Sequence, residues 1–167
     1  MFPDHIRELA AKLLAEYEMA GYTVATAESC TGGLIAGALT DIAGSSKVVD
    51  RGFVTYSNVA KSEMLGVPSS LIHAHGAVSA EVAVAMAVGA LAKSKADVTV
   101  AVTGVAGPGG GTPEKPVGRV YIATAVRRGA AKHKEYTFPG DREEVRLATV
   151  QTALERLRAA RPETAIR

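Results

Sequence analysis

Ser29 and Cys30 stand side by side in the run Ala27-Glu28-Ser29-Cys30-Thr31-Gly32-Gly33. A β-branched stretch (22–27) precedes this run, and an apolar, small-residue stretch (34–39) follows it. A strand therefore delivers two nucleophile types to a turn that opens a helix. The first N–H groups of a helix lack internal partners, and its dipole puts partial positive charge there. Two glycines let the backbone come close to a ligand. The arrangement suits a nucleophile beside an oxyanion or phosphate, with Cys30, Thr31, Gly32 and Gly33 around it. A plain capped helix start is the alternative, since Ser and Thr are favoured caps.

A serine nucleophile needs a base. His73 and His75 flank a loop before Gly76 but have no acidic neighbour in sequence to orient them. His73 and His75 are also spaced to share a metal, but no third ligand is evident. A lysine is the other candidate. Lys61 follows Tyr56 by five residues, across Ser57-Asn58-Val59-Ala60, which can bring a phenol and an amine into one site. Lys47, in Gly44-Ser45-Ser46-Lys47, is its rival. A lysine base must lose its proton near neutral pH, and a drop of ~3 units costs about 4 kcal/mol. Lys61 has the more apolar company (Val59, Ala60, Met64, Leu65). Cys30 is the alternative nucleophile, because a helix N-terminus lowers a thiol's pKa.

A second Gly-rich loop, Thr103 to Gly111, also follows a β-rich stretch. It lacks the Gly-Lys-Ser/Thr ending of a P-loop and the G-x-G-x-x-G fingerprint. Its amides can still form an anion nest. In an open α/β sheet, ligands sit beyond the carboxyl ends of parallel strands. Both loops are expected at that edge.

The elements that must hold these loops alternate. Helical spacing predicts helices over 4–20 and 31–40, one through Lys61 to Leu65 capped by Ser57-Asn58, one from a Ser79 cap to Lys93, and a final amphipathic helix opened by Pro139-Gly140-Asp141 with apolar positions from Val145 to Leu157; strands are expected over 22–27, 48–56, 97–103, 119–126 and 132–138. The 48–56 strand is expected to be antiparallel or bulged, and the last two strands to form a hairpin at Arg128-Gly129. The implied fold class is α/β, a single domain over 1–167 with helices on both faces of a mixed sheet. Residues 161–167 are expected to be a disordered tail.

Composition narrows the function. Hydrophobic residues make up 47% of the 167 residues, enough for one substantial core. The net charge of +2 and aromatic content of 5% leave neither a basic stripe nor a stacking surface, so no nucleic-acid partner is expected. One cysteine excludes an intrachain disulfide and a cysteine-based zinc site, which points to a reducing cytoplasm. Acids at Asp4 and Glu8 argue against a signal peptide, and no apolar run reaches membrane-span length.

The residues also carry a resemblance. Three motifs resemble the C-terminal domain of competence/damage-inducible protein CinA, the nicotinamide-mononucleotide amidohydrolases. They are Ala27 to Gly33; Gly52-Phe53-Val54-Thr55-Tyr56-Ser57-Asn58 with Lys61; and Val102-Thr103-Gly104-Val105-Ala106-Gly107-Pro108-Gly109-Gly110-Gly111 with Lys115-Pro116-Val117-Gly118. The resemblance runs from the first helix to Gly140-Asp141-Arg142 and the final helix. It implies a three-layer α/β/α sandwich on a mixed sheet. It also implies hydrolysis of nicotinamide mononucleotide to nicotinate mononucleotide and ammonia, in pyridine-nucleotide salvage, with no cofactor or metal. By resemblance, Ser29 is the nucleophile, Lys61 the base and then acid, and Tyr56 a polarising or proton-passing partner. Thr103 and the amides around Gly104 and Gly107, with those at the Gly32-Gly33 helix start, would hold the oxyanion or substrate. Arg142 is matched to the substrate phosphate, since arginine grips phosphate bidentately. Longer family members add an N-terminal domain resembling molybdopterin-binding folds, which is not expected here because the first strand begins near residue 22. A homo-oligomer is expected. Two other functions stay open: a regulatory nucleotide-binding module without turnover, and an amidase of different specificity.

Overall fold

The structure is a computed structural model and describes residues 1–161. The chain runs α1 (Asp4–Ala20), β1 (Val24–Glu28), α2 (Leu34–Thr40), a 3-10 turn (Ser45–Lys47), β2 (Val49–Val54), α3 (Asn58–Leu65), α4 (Ser69–His75), α5 (Ala80–Ala92), β3 (Val98–Gly104), β4 (Arg119–Val126), β5 (Ala131–Thr137) and α6 (Arg142–Ala160). The sheet order is β2-β1-β3-β4-β5. β1 pairs in parallel with β2 and β3, and β4 and β5 add antiparallel. Helices α1, α2 and α6 pack on one face and α3, α4 and α5 on the other. The fold is therefore the expected α/β/α sandwich on a mixed sheet.

β1 and β3 are buried on both faces, which is why they read as near-continuous apolar runs. Val24, Val98, Val100 and Val102 face α1 and α6 in the larger core. The opposite face is lined by Ala27, Ala101, Ala123 and Ala125. Those small residues let α5 lie close to the sheet. Gly89 does the same between α5 and α3: a Cβ there would sit 2.1 Å from the Leu65 carbonyl oxygen.

Several boundaries differ from expectation. Tyr22 and Thr23 precede β1 because the Thr23 backbone is bonded to Asp97 instead: its N–H donates to Asp97 Oδ2, and its carbonyl accepts from Asp97 and Val98. β2 is parallel to β1, since the α2 crossover returns the chain to the same sheet end, and its register does shift between Val24 and Ala25. α2 starts at Leu34 rather than residue 31, because Gly32 and Gly33 take φ of +58° and +103°. α4 was not expected. Only Ile72 of that helix is buried, so it carries no apolar periodicity, and His73 and His75 lie on it rather than in a loop. The caps at Ser57, Ser79 and Asp141 are made as the sequence implies, the last as a full capping box with Glu144. The expected tail, beyond Arg161, lies outside the described residues. Among the described residues no helix is long and apolar enough to cross a membrane.

Candidate active site

The carboxyl ends of the three parallel strands converge on one point, and each brings a different chemical group. Ser29 leaves the end of β1, and its N–H continues the ladder to the Val102 carbonyl of β3. On the other side, the Thr55 N–H beyond β2 donates to the Glu28 carbonyl. The chain then enters α3 through the Ser57 cap, and Lys61 on its first turn points back at β1. Ser29, Cys30, Tyr56, Asn58, Lys61, Thr103, Gly104 and Arg142 line a cavity of about 220 Å³, closed on its apolar side by Ala77, Val78 and Ala106.

Lys61 is 1% exposed, and among the described residues it has no ion-pair partner. Its Nζ lies 3.0 Å from Ser29 Oγ, 3.0 Å from the Thr55 carbonyl oxygen and 3.2 Å from that of Tyr56. Burial disfavours its charged form and lowers its pKa from the ordinary 10.5. A neutral amine has two N–H groups and one lone pair. Two carbonyls and one hydroxyl can match that set, the carbonyls accepting the N–H groups and the lone pair facing the Ser29 hydroxyl; an ammonium would instead donate to all three oxygens. Lys47 is elsewhere, in an exposed ion pair with Glu18 at 3.0 Å.

The alternative nucleophile sits in the same turn. Cys30 is buried, and burial pushes its thiol up to about 12. A thiol held there is not a thiolate at neutral pH.

The helix start differs from the simple anion site that the sequence suggests. The amides of Ile35 and Ala36 donate to Glu28, at 2.8 Å to Oε1 and 3.0 Å to Oε2. The Thr31 hydroxyl donates to Oε1 at 2.6 Å, so Thr31 is turned into the core. Thr31, Gly32 and Gly33 do not line the cavity; Cys30 does. The α2 N-terminus is thus occupied by a carboxylate of the protein.

A backbone amide on β3 is directed toward Ser29 instead. Val105 pairs with Arg119 of β4, so the neighbouring backbone of Gly104 faces the opposite way, as that of Val102 does toward Ser29. The Gly104 amide therefore points to the Ser29 side. The Thr103 hydroxyl is committed to the Ala77 carbonyl at 2.8 Å, tying β3 to the start of α5. Gly107 lies outside the cavity wall, and its carbonyl accepts from Arg142 Nη1 at 2.8 Å.

Tyr56 and Arg142 form the rim. The Tyr56 carbonyl touches Lys61, whereas its phenol, on a residue 61% exposed, lies 3.3 Å from Arg142 Nη2. Arg142 is the first residue of α6, where the helix dipole disfavours a cation. Asp141, Glu143 and Glu144 offset that cost. His73 and His75 are on exposed α4, and neither lines the cavity; His75 Nδ1 is 3.7 Å from Glu81.

Sequence reasoning missed two residues. Glu28 adjoins Ser29 but read only as part of a motif. Arg146 donates to the carbonyls of Cys30 and Thr31 at 3.1 and 3.2 Å, fastening α6 to the turn that carries Ser29. Its spacing of four from Arg142, one helical turn, was the available signal.

The chain is similar to several known proteins. The family model described as the CinA C-terminal domain matches residues 6–160. A crystal structure of a competence/damage-inducible protein from Agrobacterium tumefaciens superposes with a TM-score of 0.93 at 57% identity, covering 95% of this chain and 97% of that one. The nicotinamide-nucleotide amidohydrolase PncC of Enterobacter agglomerans is 51% identical over 92% of this chain and 96% of its own length. A CinA-like protein of Geotalea uraniireducens is 57% identical over 83% of this chain, which spans only 33% of that longer protein.

Proposed function

Since the chain belongs to the CinA C-terminal domain family, we propose that it hydrolyses the carboxamide of nicotinamide mononucleotide, giving nicotinate mononucleotide and ammonia. The observation that carries this is the buried Lys61 amine 3.0 Å from Ser29 Oγ, with two carbonyls taking up its N–H groups. The name of the PncC relative supplies the substrate.

Lys61 takes the Ser29 proton as Oγ attacks the carboxamide carbon. The oxyanion is met by the Gly104 amide, with the Cys30 amide as second donor on the nucleophile's own turn. The Lys61 ammonium returns the proton to the leaving nitrogen, and ammonia departs. Water then attacks the Ser29 ester with Lys61 as base. Collapse of the second intermediate restores Ser29 and releases the nucleotide acid. In this scheme Tyr56 contributes its backbone carbonyl to Lys61, and its phenol supports Arg142.

The test is ammonia release from nicotinamide mononucleotide by chelator-treated protein. Release supports the amidohydrolase; binding without release replaces it with a nucleotide-binding module.

The base sets a pH dependence. Lys61 acts without its proton, so kcat/KM rises with pH, and the midpoint of that limb lies below 10.5 because burial lowers the folded-state value. A pH–rate profile checks this. A rising limb centred at or above 10.5 would remove Lys61 as a buried neutral base.

Arg142 lines the rim of the cavity and is the residue proposed to hold the substrate phosphate. Charge-assisted hydrogen bonds contribute ~1.5–3 kcal/mol each, so Arg142→Ala should raise KM for the nucleotide by about tenfold or more. Its kcat should change little. Turnover of the phosphate-free riboside, if accepted, should be insensitive to the same substitution. An unchanged nucleotide KM in steady-state assays would release Arg142 from this role.

A further inference from the structure

Glu28 is the largest investment of polar chemistry in the core that the reaction scheme leaves unused. It is fully buried, and four donors converge on its two oxygens. Oε1 accepts from Ile35 N–H at 2.8 Å and the Thr31 hydroxyl at 2.6 Å; Oε2 accepts from Ala36 N–H at 3.0 Å and the Thr26 hydroxyl at 3.2 Å. The donors come from both sides of the nucleophile: Thr26 from β1, Thr31 from the turn, Ile35 and Ala36 from α2. Between them, only Ser29 and Cys30 face the cavity.

We propose that Glu28 is the positioning residue of this site, its carboxylate clamping strand, turn and helix together so that Ser29 Oγ is held opposite Lys61 Nζ. The inference rests on the Ser29–Lys61 reading of the site. Gly32 and Gly33 have left-handed φ values, so the turn has no regular ladder to hold it. The second fastening is Arg146, which grips the Cys30 and Thr31 carbonyls from outside. Glu28 holds the turn from within. A reacting pair tolerates little misplacement, since an error of about 1 Å can cost ~10²-fold.

The chemistry of the clamp makes a sharp variant possible. Each carboxylate oxygen receives one backbone N–H, which can only donate. In Glu28→Gln the side-chain volume is kept, but the NH2 group meets a backbone donor whichever way the amide is turned. One of the two helix anchors is lost.

The experiment measures the rate constant for labelling of Ser29 by a fluorophosphonate, located by mass spectrometry, across pH, alongside kcat and KM. The expected result for Glu28→Gln is a labelling rate constant and a kcat each at least tenfold lower. The pH midpoint and KM should stay at the wild-type values. A structural role alone would lower the melting temperature and the labelled fraction without changing the rate constant, and that result overturns the proposal. A shifted pH midpoint with an undiminished plateau overturns it too, since Glu28 would then act on Lys61 electrostatically. If Glu28→Gln does not fold, Thr31→Val carries the test: it removes one contact to Oε1 and should slow labelling severalfold, whereas a wild-type rate overturns the clamp. Labelling needs no nucleotide, so a protein that labels at Ser29 but releases no ammonia would sink the proposed substrate while leaving Glu28 testable. A wild type not labelled at Ser29 overturns both.

Discussion

Ser29→Ala should lower kcat for ammonia release by about 10³-fold or more while the protein stays folded. The size follows from what is removed. Without Oγ there is no covalent intermediate, and the Lys61 lone pair has no proton to take. What remains is a shaped cavity and the Gly104 amide, which can act only on slow direct attack by water. The fold should survive because the lost atom makes a single contact, to a lysine that keeps two carbonyl partners. One net hydrogen bond is worth ~1 kcal/mol. Steady-state kinetics with circular dichroism on the same sample make the check. Turnover within tenfold of wild type would strip Ser29 of the nucleophile role and return attention to Cys30.

Lys61→Met should be about as severe, ~10³-fold or more in kcat, because nucleophile and base act as one unit and removing either disables both. Methionine keeps the unbranched chain out to the ε position and fills most of the buried space, which isolates the amine. The Thr55 and Tyr56 carbonyls lose their donor, so some stability is lost, ~1–3 kcal/mol for each buried group left unpaired. Lys47→Ala is the control. That side chain is exposed and paired with Glu18, so its removal should leave kcat within twofold of wild type, about the scatter expected for a surface charge. Loss of activity in the Lys47 variant with retention in Lys61→Met would reassign the base.

Much of the scaffold was legible because its signals are local. Ser57, Ser79 and Asp141 each bond an amide three residues on, and such caps can be read from sequence. The buried strands announce themselves by composition. Lys61 was marked out from Lys47 by its apolar neighbours, which anticipate its burial. What stayed hidden depends on contacts between distant segments. Nothing in the spacing of Glu28 says that its carboxylate folds back onto α2, and so the helix start looked like a free anion site. Tyr56 was read by its phenol, whereas the contact to Lys61 is made by its backbone, which any residue has. α4 escaped because a helix with one buried side chain has no periodic face.

The proposed base and nucleophile do not rest on equally braced parts of the molecule. Ser29 follows β1, which is paired on both sides; Lys61 follows β2, an edge strand with one neighbour and mostly exposed residues. Local opening concentrates in such weakly braced segments. When the β2–α3 segment opens, Lys61 enters water and regains its ordinary affinity for a proton; to close again, the segment must shed that proton in the measure that burial lowers the pKa. Closing is therefore linked to proton release. Across the window between the lowered value and 10.5, each fall in pH favours the open segment, and the effect is complete once the buried amine is itself protonated. Burying Lys61 thus makes any opening of its own segment easier as pH falls through that window.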